Sequence, residues 1–319
     1  MPRIENLLVA MPLGIEHRTE LALRLPNTKI TYAEYMGASA EQVRDADVIF
    51  GNVNPDLLLE APRLRWLQLS SAGTDGFLPV IGDRLLTNAT GAYGPAISEH
   101  MLAMLLAMQK KLPQYHNNQK NSLWRKEGAV QSITGSVSLS VGLGDIGGEF
   151  SRKMKALGAY TIGVRRRDLT KPEYMDELHL MDALPELLPR ADVVALSLPN
   201  TPATVNVINT QTLSLMKSTA ILINVGRGNA IDQDALVRAL NSGAIGGACL
   251  DVTSPEPLPA EHPLWSTKNI LITPHSSGGW TLPTTADLAY EIFSRNLDAY
   301  LDDWKLTNLV DRETGYALR

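Results

Sequence analysis

The chain has 319 residues, 44% of them apolar, and a formal net charge of −5. That is enough for one large domain or two ordinary ones with a true core, and it excludes a disordered chain. The acidic balance argues against broad attraction to nucleic acid or to a membrane surface.

The first 90 residues read as short strands alternating with helices. Strand candidates are Leu7 to Ala10, Lys29 to Tyr32, Val48 to Phe50, Leu67 to Leu69 and Leu85 to Thr87. That rhythm predicts a small α/β domain with a parallel sheet. Glu99 to Leu112 reads as a long helix coated with Met, Leu and Ala on nearly every face, and such a helix is expected to be buried. From Gly135 the rhythm resumes. Strands are predicted at Val137 to Val141, Tyr160 to Val164, Asp192 to Leu196, Ala220 to Val225, Gly246 to Val252 and Ile270 to Thr273. This is the element sequence of a doubly wound sheet. Ser138 and Ser140 interrupt the first of these strands, which a buried central strand seldom allows. Thr284 to Leu301 reads as a final helix with Leu288, Ile292, Leu297 and Leu301 near one stripe.

Three further absences narrow the class. The single cysteine, Cys249, lies between Ala248 and Leu250, so it cannot form an internal disulfide and reads as a buried apolar residue. The six histidines show no metal-ligand spacing. No signal-peptide pattern opens the chain, and the most apolar run, Met101 to Met108, is too short to cross a bilayer. The expectation is a cytoplasmic protein.

A glycine-rich turn, Gly142-Leu143-Gly144-Asp145-Ile146-Gly147, follows the first strand of the second half. Gly142 permits the tight turn, Gly144 lets a pyrophosphate approach the backbone, and Gly147 lets the next helix pack on the strand. The pyrophosphate would sit over the N-terminus of a helix from Gly148 to Leu157. A site for NAD normally has an Asp or Glu about 20 residues on, to hold the ribose 2′-hydroxyl. Here the next strand ends in Arg165-Arg166-Arg167, followed by Asp168. Guanidinium groups would bind a 2′-phosphate through charge-assisted bonds, so Arg165 and Arg166 predict preference for NADP(H). A small shift of register would instead bring Asp168 to the ribose and favour NAD(H).

With these features in hand, the chain resembles the D-isomer-specific 2-hydroxyacid dehydrogenases, a family that includes glyoxylate/hydroxypyruvate reductases. The resemblance covers almost the whole chain. It rests on Gly142 to Gly147, Leu222-Ile223-Asn224-Val225-Gly226-Arg227-Gly228, the stretch Asp251 to Leu258 that contains Glu256, and Thr273-Pro274-His275. It implies two Rossmann-like α/β domains with doubly wound parallel sheets and an active-site cleft between them. The substrate domain would be discontinuous and flavodoxin-like, residues 1–98 and 284–319, and the dinucleotide domain would be 99–283.

The same resemblance assigns the chemistry. Arg227 would hold the substrate carboxylate and polarise the carbonyl, a task suited to a guanidinium. His275 would be the acid/base, and Glu256 would orient its ring and favour the protonated form. Leu198, Pro199 and Asn200 would line the adenosine side of the cofactor. Val225 and Gly226 would lie against it, and Asp251 would reach the nicotinamide amide. In Ser70-Ser71-Ala72-Gly73-Thr74-Asp75-Gly76, the backbone of Ser71, Ala72 and Gly73 would form a nest for the carboxylate. Trp280 would line the substrate pocket, with Trp124 and Tyr93 as further aromatic candidates. The implied reaction is reduction of a small 2-keto acid to a D-2-hydroxy acid by a homodimer. An NAD-dependent dehydrogenase is the nearest alternative, and a non-catalytic dinucleotide-sensing protein is the alternative from another class.

Overall fold

The computed structural model describes residues 3–74, 76–167, 170–279, 282–312, 315 and 317. The chain divides into two compact units, Met1–Tyr93 with Gly279–Arg319, and Gly94–Gly278.

In the first unit the elements run β1 (Asn6–Ala10), α1 (Ile15–Arg24), β2 (Lys29–Ala33), α2 (Ala40–Asp45), β3 (Val48–Gly51), β4 (Trp66–Gln68) and β5 (Leu85–Thr87). All pairings are parallel and the sheet order is β2-β1-β3-β4-β5. This is the flavodoxin-like order. Local chemistry agrees with it. A reciprocal Ser39–Gln42 capping box starts α2, a device that contributes about 1 kcal/mol. Leu8, Ile49, Leu67 and Leu86 form the centre of one core layer. The C-terminal helix, Pro283–Leu301, supplies the other, with Phe293 stacked on Phe50 at 4.2 Å and on Trp66 at 5.5 Å. A buried polar network ties this helix to the sheet. Trp66 Nε1 donates to Thr87 Oγ1, which donates to Gln68 Oε1, and Asn296 Nδ2 donates to the same oxygen. Asn296 Oδ1 accepts from both the amide and the hydroxyl of Thr307. Because these groups satisfy one another, their burial adds specificity without leaving an orphaned dipole.

The second unit opens with α3 (Gly94–Gln109) and α4 (Leu112–Lys120). It continues with β6 (Val137–Val141), α5 (Asp145–Ala156), β7 (Tyr160–Arg165), β8 (Glu177–Leu180), α6 (Leu184–Leu187), β9 (Val193–Leu196), α7 (Thr210–Leu215), β10 (Ile221–Asn224), α8 (Gln233–Ser242), β11 (Gly247–Leu250) and β12 (Ile270–Ile272). The seven parallel strands are ordered β12-β11-β10-β9-β6-β7-β8. The chain winds outward from β6 in one direction and then from β9 in the other. Ligands of such sheets bind where the order reverses, at the carboxyl ends of the strands. Strands β9, β10 and β11 are buried at every residue, as a sheet covered on both faces requires.

Three sequence expectations need amendment. Helix α3 starts five residues before Glu99, and a left-handed Lys111 (φ 59°) separates it from α4. It is not buried all round: Ile97, Met101, Met104 and Leu105 face inward, whereas Ala103 and Leu106 are exposed. Strand β8 was not anticipated, because Glu177 and His179 alternate with leucines on an edge strand. Charge on an edge blocks further pairing. There the Arg190 guanidinium holds the Glu177 carboxyl down to about 2. Finally, Ser140 fits within the buried strand β6 because its hydroxyl lies 2.8 Å from the Ser151 hydroxyl of α5. Cys249 is buried in β11, and burial pushes its thiol up to about 12, which leaves it unreactive.

Candidate active site

Register assembles the site in the second unit. Val141, Leu196, Asn224, Leu250 and Ile272 are successive partners across β6, β9, β10, β11 and β12. Each is the last residue of its strand, so five loops leave the sheet from one row. They begin at Gly142, Ser197, Val225, Asp251 and Thr273. Val164, one residue before the end of β7, pairs with Val141, so Arg165 lies beside the first of these loops.

The glycine turn has the shape a pyrophosphate needs. Gly142 takes φ 94°, and a Cβ on Gly147 would lie 1.9 Å from the Gly142 carbonyl oxygen. A Cβ on Gly144 would meet nothing within 4 Å, so that side of the turn is open. Gly144 is the N-cap of α5, whose first-turn N–H groups favour an anion. The Asp145 carboxylate accepts from Gly94 N at the start of α3 (2.9 Å). Ile146 is half-buried. Ser197 Oγ donates to the Gly142 carbonyl at 2.8 Å and pins the turn to the β9 loop. In that loop Leu198 is buried, Pro199 is half-buried and Asn200 is exposed, with its Oδ1 receiving Asn229 Nδ2. Arg165 is half-buried, while Arg166 and Arg167 are exposed. Together the turn, the helix end and the adjacent cations fit a dinucleotide.

The catalytic candidates stand on the neighbouring loops. Asn224, fully buried at the end of β10, accepts Gly226 N and donates to the Arg227 carbonyl at 2.9 Å. It folds Val225, Gly226 and Arg227 into a tight turn. A Cβ on Gly228 would lie 2.0 Å from the Thr253 carbonyl, so this turn is packed directly on the loop that carries Glu256. Glu256 Oε1 accepts from Thr253 N at 3.0 Å, and its Oε2 lies 2.8 Å from His275 Nδ1. A carboxylate can only accept, so Nδ1 carries a proton. Among the described residues Nε2 has no hydrogen-bond partner, and it is the nitrogen available to gain or give a proton. His275 sits in the left-handed region (φ 49°), a conformation that costs on the order of 1–2 kcal/mol.

Asp251 is the anchor of that turn. Its carboxylate accepts from Thr273 Oγ1 (2.6 Å), Ser276 N (3.0 Å), Ser277 N (3.2 Å) and Ser277 Oγ (2.5 Å), and its carbonyl accepts from His275 N at 2.8 Å. All four acceptor positions of the carboxylate are therefore used within the protein.

In the first unit, the loop after β4 is fastened through side chains, carbonyls and the Ser70 amide. Asn52 Oδ1 accepts from Ser70 N and Ser70 Oγ, and Asn52 Nδ2 donates to Ser71 Oγ. Tyr93 donates to the Ser70 carbonyl, Ala89 N to that of Ser71, and Asn88 Nδ2 to that of Ala72. Burial pushes the Tyr93 phenol far above its usual range, so it stays a donor. Among the described residues, the N–H groups of Ser71, Ala72 and Gly73 donate to nothing, which leaves three positive backbone dipoles for an anion. Trp280, Asp75 and Asp168 lie outside the described residues. Trp124 is fully exposed.

Sequence reasoning gave no role to Asn224, Ser197, Asn52 or Asn88. The signal available was a polar residue at the end of an otherwise apolar strand. Among the described residues there is no cluster of three His, Cys, Asp or Glu that could hold a metal ion, and no helix is long and apolar enough to cross a membrane.

A doubly wound sheet with a dinucleotide turn and a paired histidine defines a nicotinamide-dependent oxidoreductase. Residues 102–277 match the family model of the D-isomer specific 2-hydroxyacid dehydrogenase NAD binding domain, and the chain belongs to that family. It is an NAD(P)-dependent 2-hydroxyacid dehydrogenase or reductase. It is 32% identical to a glyoxylate reductase of Aeropyrum pernix over 293 residues, covering 85% of each chain. Its fold is similar to that of a D-isomer specific 2-hydroxyacid dehydrogenase family protein from Aeromonas salmonicida, with TM-score 0.85 and 33% identity over 97% of this chain and 99% of that one. An NADPH-dependent glyoxylate/hydroxypyruvate reductase from Sinorhizobium meliloti, solved with NADP and sulfate, superposes with TM-score 0.81 at 25% identity, covering 98% and 100%.

The turn geometry makes a direct prediction. Gly147→Ala forces α5 away from β6 at a cost of about 1–3 kcal/mol, so cofactor affinity falls roughly 10- to 100-fold. Titration of NADPH fluorescence measures this, and an unchanged Kd contradicts the proposed seat of the pyrophosphate.

Proposed function

We propose that the protein reduces small 2-keto acids, with glyoxylate and hydroxypyruvate as the leading candidates, to D-2-hydroxy acids, and that it prefers NADPH to NADH. The observation that carries this reading is the His275 Nδ1–Glu256 Oε2 pair at 2.8 Å, which leaves Nε2 to exchange a proton. The bound nicotinamide supplies the hydride. Arg227 holds the substrate carboxylate and draws charge from the carbonyl. His275 Nε2–H gives its proton to the carbonyl oxygen, and in the oxidative direction Nε2 takes it back. Glu256 keeps the ring in the one tautomer that serves both directions. Among the described residues the amides of Ser71, Ala72 and Gly73 donate to nothing, and they are assigned to an anion.

Arg165 and Arg166 support the choice of cofactor. Arg165 ends β7, the strand next to β6, and Arg166 follows it, where the adenosine ribose of such a fold lies. Fixed cations at that point favour a 2′-phosphate. The S. meliloti relative was solved with NADP. The test is steady-state reduction of glyoxylate, hydroxypyruvate, pyruvate and 2-ketoisocaproate with each cofactor. Wild-type protein is expected to show higher kcat/KM with NADPH. The Arg165→Ala, Arg166→Ala double variant should lose roughly 10- to 100-fold with NADPH and little with NADH, the loss of one or two charge-assisted bonds. Preference for NADH in the wild type refutes the cofactor assignment, and absence of turnover refutes the substrate class.

We also propose that the protein is a homodimer, formed through the second unit. Leu112, Leu123, Trp124 and Val130 are all exposed in and after α4. The segment that bears them is held rigid: Lys111 Nζ donates to the Glu127 carbonyl, Glu127 N to Tyr115 Oη, and Asn118 Nδ2 to Glu127 Oε1. Tryptophan is enriched among the residues that dominate interface energetics, and Trp124 is fully exposed. Sedimentation should give twice the chain mass of 34.8 kDa, falling to the monomer in Trp124→Ala. A wild-type monomer at micromolar concentration rejects the dimer.

A further inference from the structure

A second histidine lies behind the His275 turn. His100, on α3, places Nε2 3.0 Å from Thr273 Oγ1 and 3.8 Å from Asp251 Oδ1. Its side chain is 25% exposed, whereas that of Asp251 is fully buried. The proton inventory decides the direction of these bonds. Thr273 has one hydroxyl proton, and the nearest acceptor is the Asp251 carboxylate at 2.6 Å, which cannot donate. That proton is therefore committed to Asp251, and the contact with His100 requires Nε2–H to donate to Thr273 Oγ1. His100 so fixes the hydroxyl in the rotamer that grips Asp251. Asp251 in turn holds Ser276, Ser277 and, through its carbonyl, the His275 amide.

We propose that His100 is a positioning residue for the acid/base group, acting through Thr273 and Asp251 to hold His275 in its left-handed turn. This rests on the assignment of His275 to proton transfer. His100 is anchored independently of the turn it serves, because α3 packs on α5 and on β10 and β11, and Met101, Met104 and Leu105 of this helix are buried. Its donor is thus presented from a fixed element, while the 273–277 turn on its own would be free to relax from a strained backbone. The reacting proton must be delivered within a few tenths of an ångström, so relaxation of the turn reduces the chemical step more than binding.

The test compares His100→Leu, which removes the donor, with His100→Gln, whose amide N–H can occupy the position of Nε2. With the Leu variant, kcat for 2-keto acid reduction should fall roughly 10- to 100-fold, with KM for keto acid and for NADPH changed by no more than about two-fold. The Gln variant should recover most of that loss. Thr273→Val should match the Leu variant, and the double variant should be no slower than either, since both cut one chain of bonds. A Leu variant that loses thermal stability yet keeps kcat overturns the proposal, as does a Gln variant as slow as Leu, or a loss that falls on KM. Failure of the substrate assignment is distinguishable, since it is seen first as absence of turnover in wild type. In that event the imidazole 1H–15N signals of His275 pose the question without substrate. Displacement or broadening of these signals in the Leu variant, restored in Gln, supports the positioning role, and signals identical to wild type overturn it.

Discussion

Parallel register is the constraint on which this candidate active site depends. Five strands of the second sheet end in one row, at Val141, Leu196, Asn224, Leu250 and Ile272. Everything with chemical character in that unit begins within a few residues of this row. The order reversal between β6 and β9 opens space there, and the α5 N-terminus adds a positive dipole to it. Had one strand slipped by a single residue, its side chains would exchange faces and its loop would start from the wrong side of the sheet. The hydrophobic burial of β9, β10 and β11 thus sets the position of residues that are themselves polar.

Buried polar side chains convert that register into fixed loop shapes. Asn224 folds the Arg227 turn, Ser197 clips the glycine turn, and Asp251 holds the strained turn of His275. Asn52 and Asn88 do the same for the Ser70 to Gly73 loop of the first unit. Each is a small side chain that bonds to backbone groups and, for Asn52 and Asp251, to hydroxyls as well, so its desolvation is repaid locally. A loop pinned through its carbonyls and side chains leaves its amides to face an anion. That is how short, small-residue loops with little packing of their own come to hold one conformation.

Much of the architecture was legible because apolar runs and glycine spacing are local signals. The strands of both units lie within one or two residues of their expected positions, and the motifs around Arg227, Glu256 and His275 stand on the loops foreseen for them. What escaped was set by distance. Strand β8 has charged alternate residues because it is an edge, a fact about its neighbours. The break between α3 and α4 at Lys111 depends on one left-handed residue with no glycine to announce it. Asn52 and Asn88 look like ordinary loop residues until the backbone groups they bind are known. The hydrogen bonds that Asp251 accepts come from residues 22 to 26 positions further on, which no local pattern announces. His100 is 173 residues from its partner Thr273.

The most direct measurement of the central claim is the rate of 2-keto acid reduction by His275→Ala, taken together with the Kd for NADPH. If His275 moves the proton, kcat falls about 10²- to 10⁴-fold while the cofactor binds as in the wild type. A kcat within about three-fold of wild type, with cofactor binding intact, would mean that another group transfers the proton and that the His275–Glu256 pair is structural.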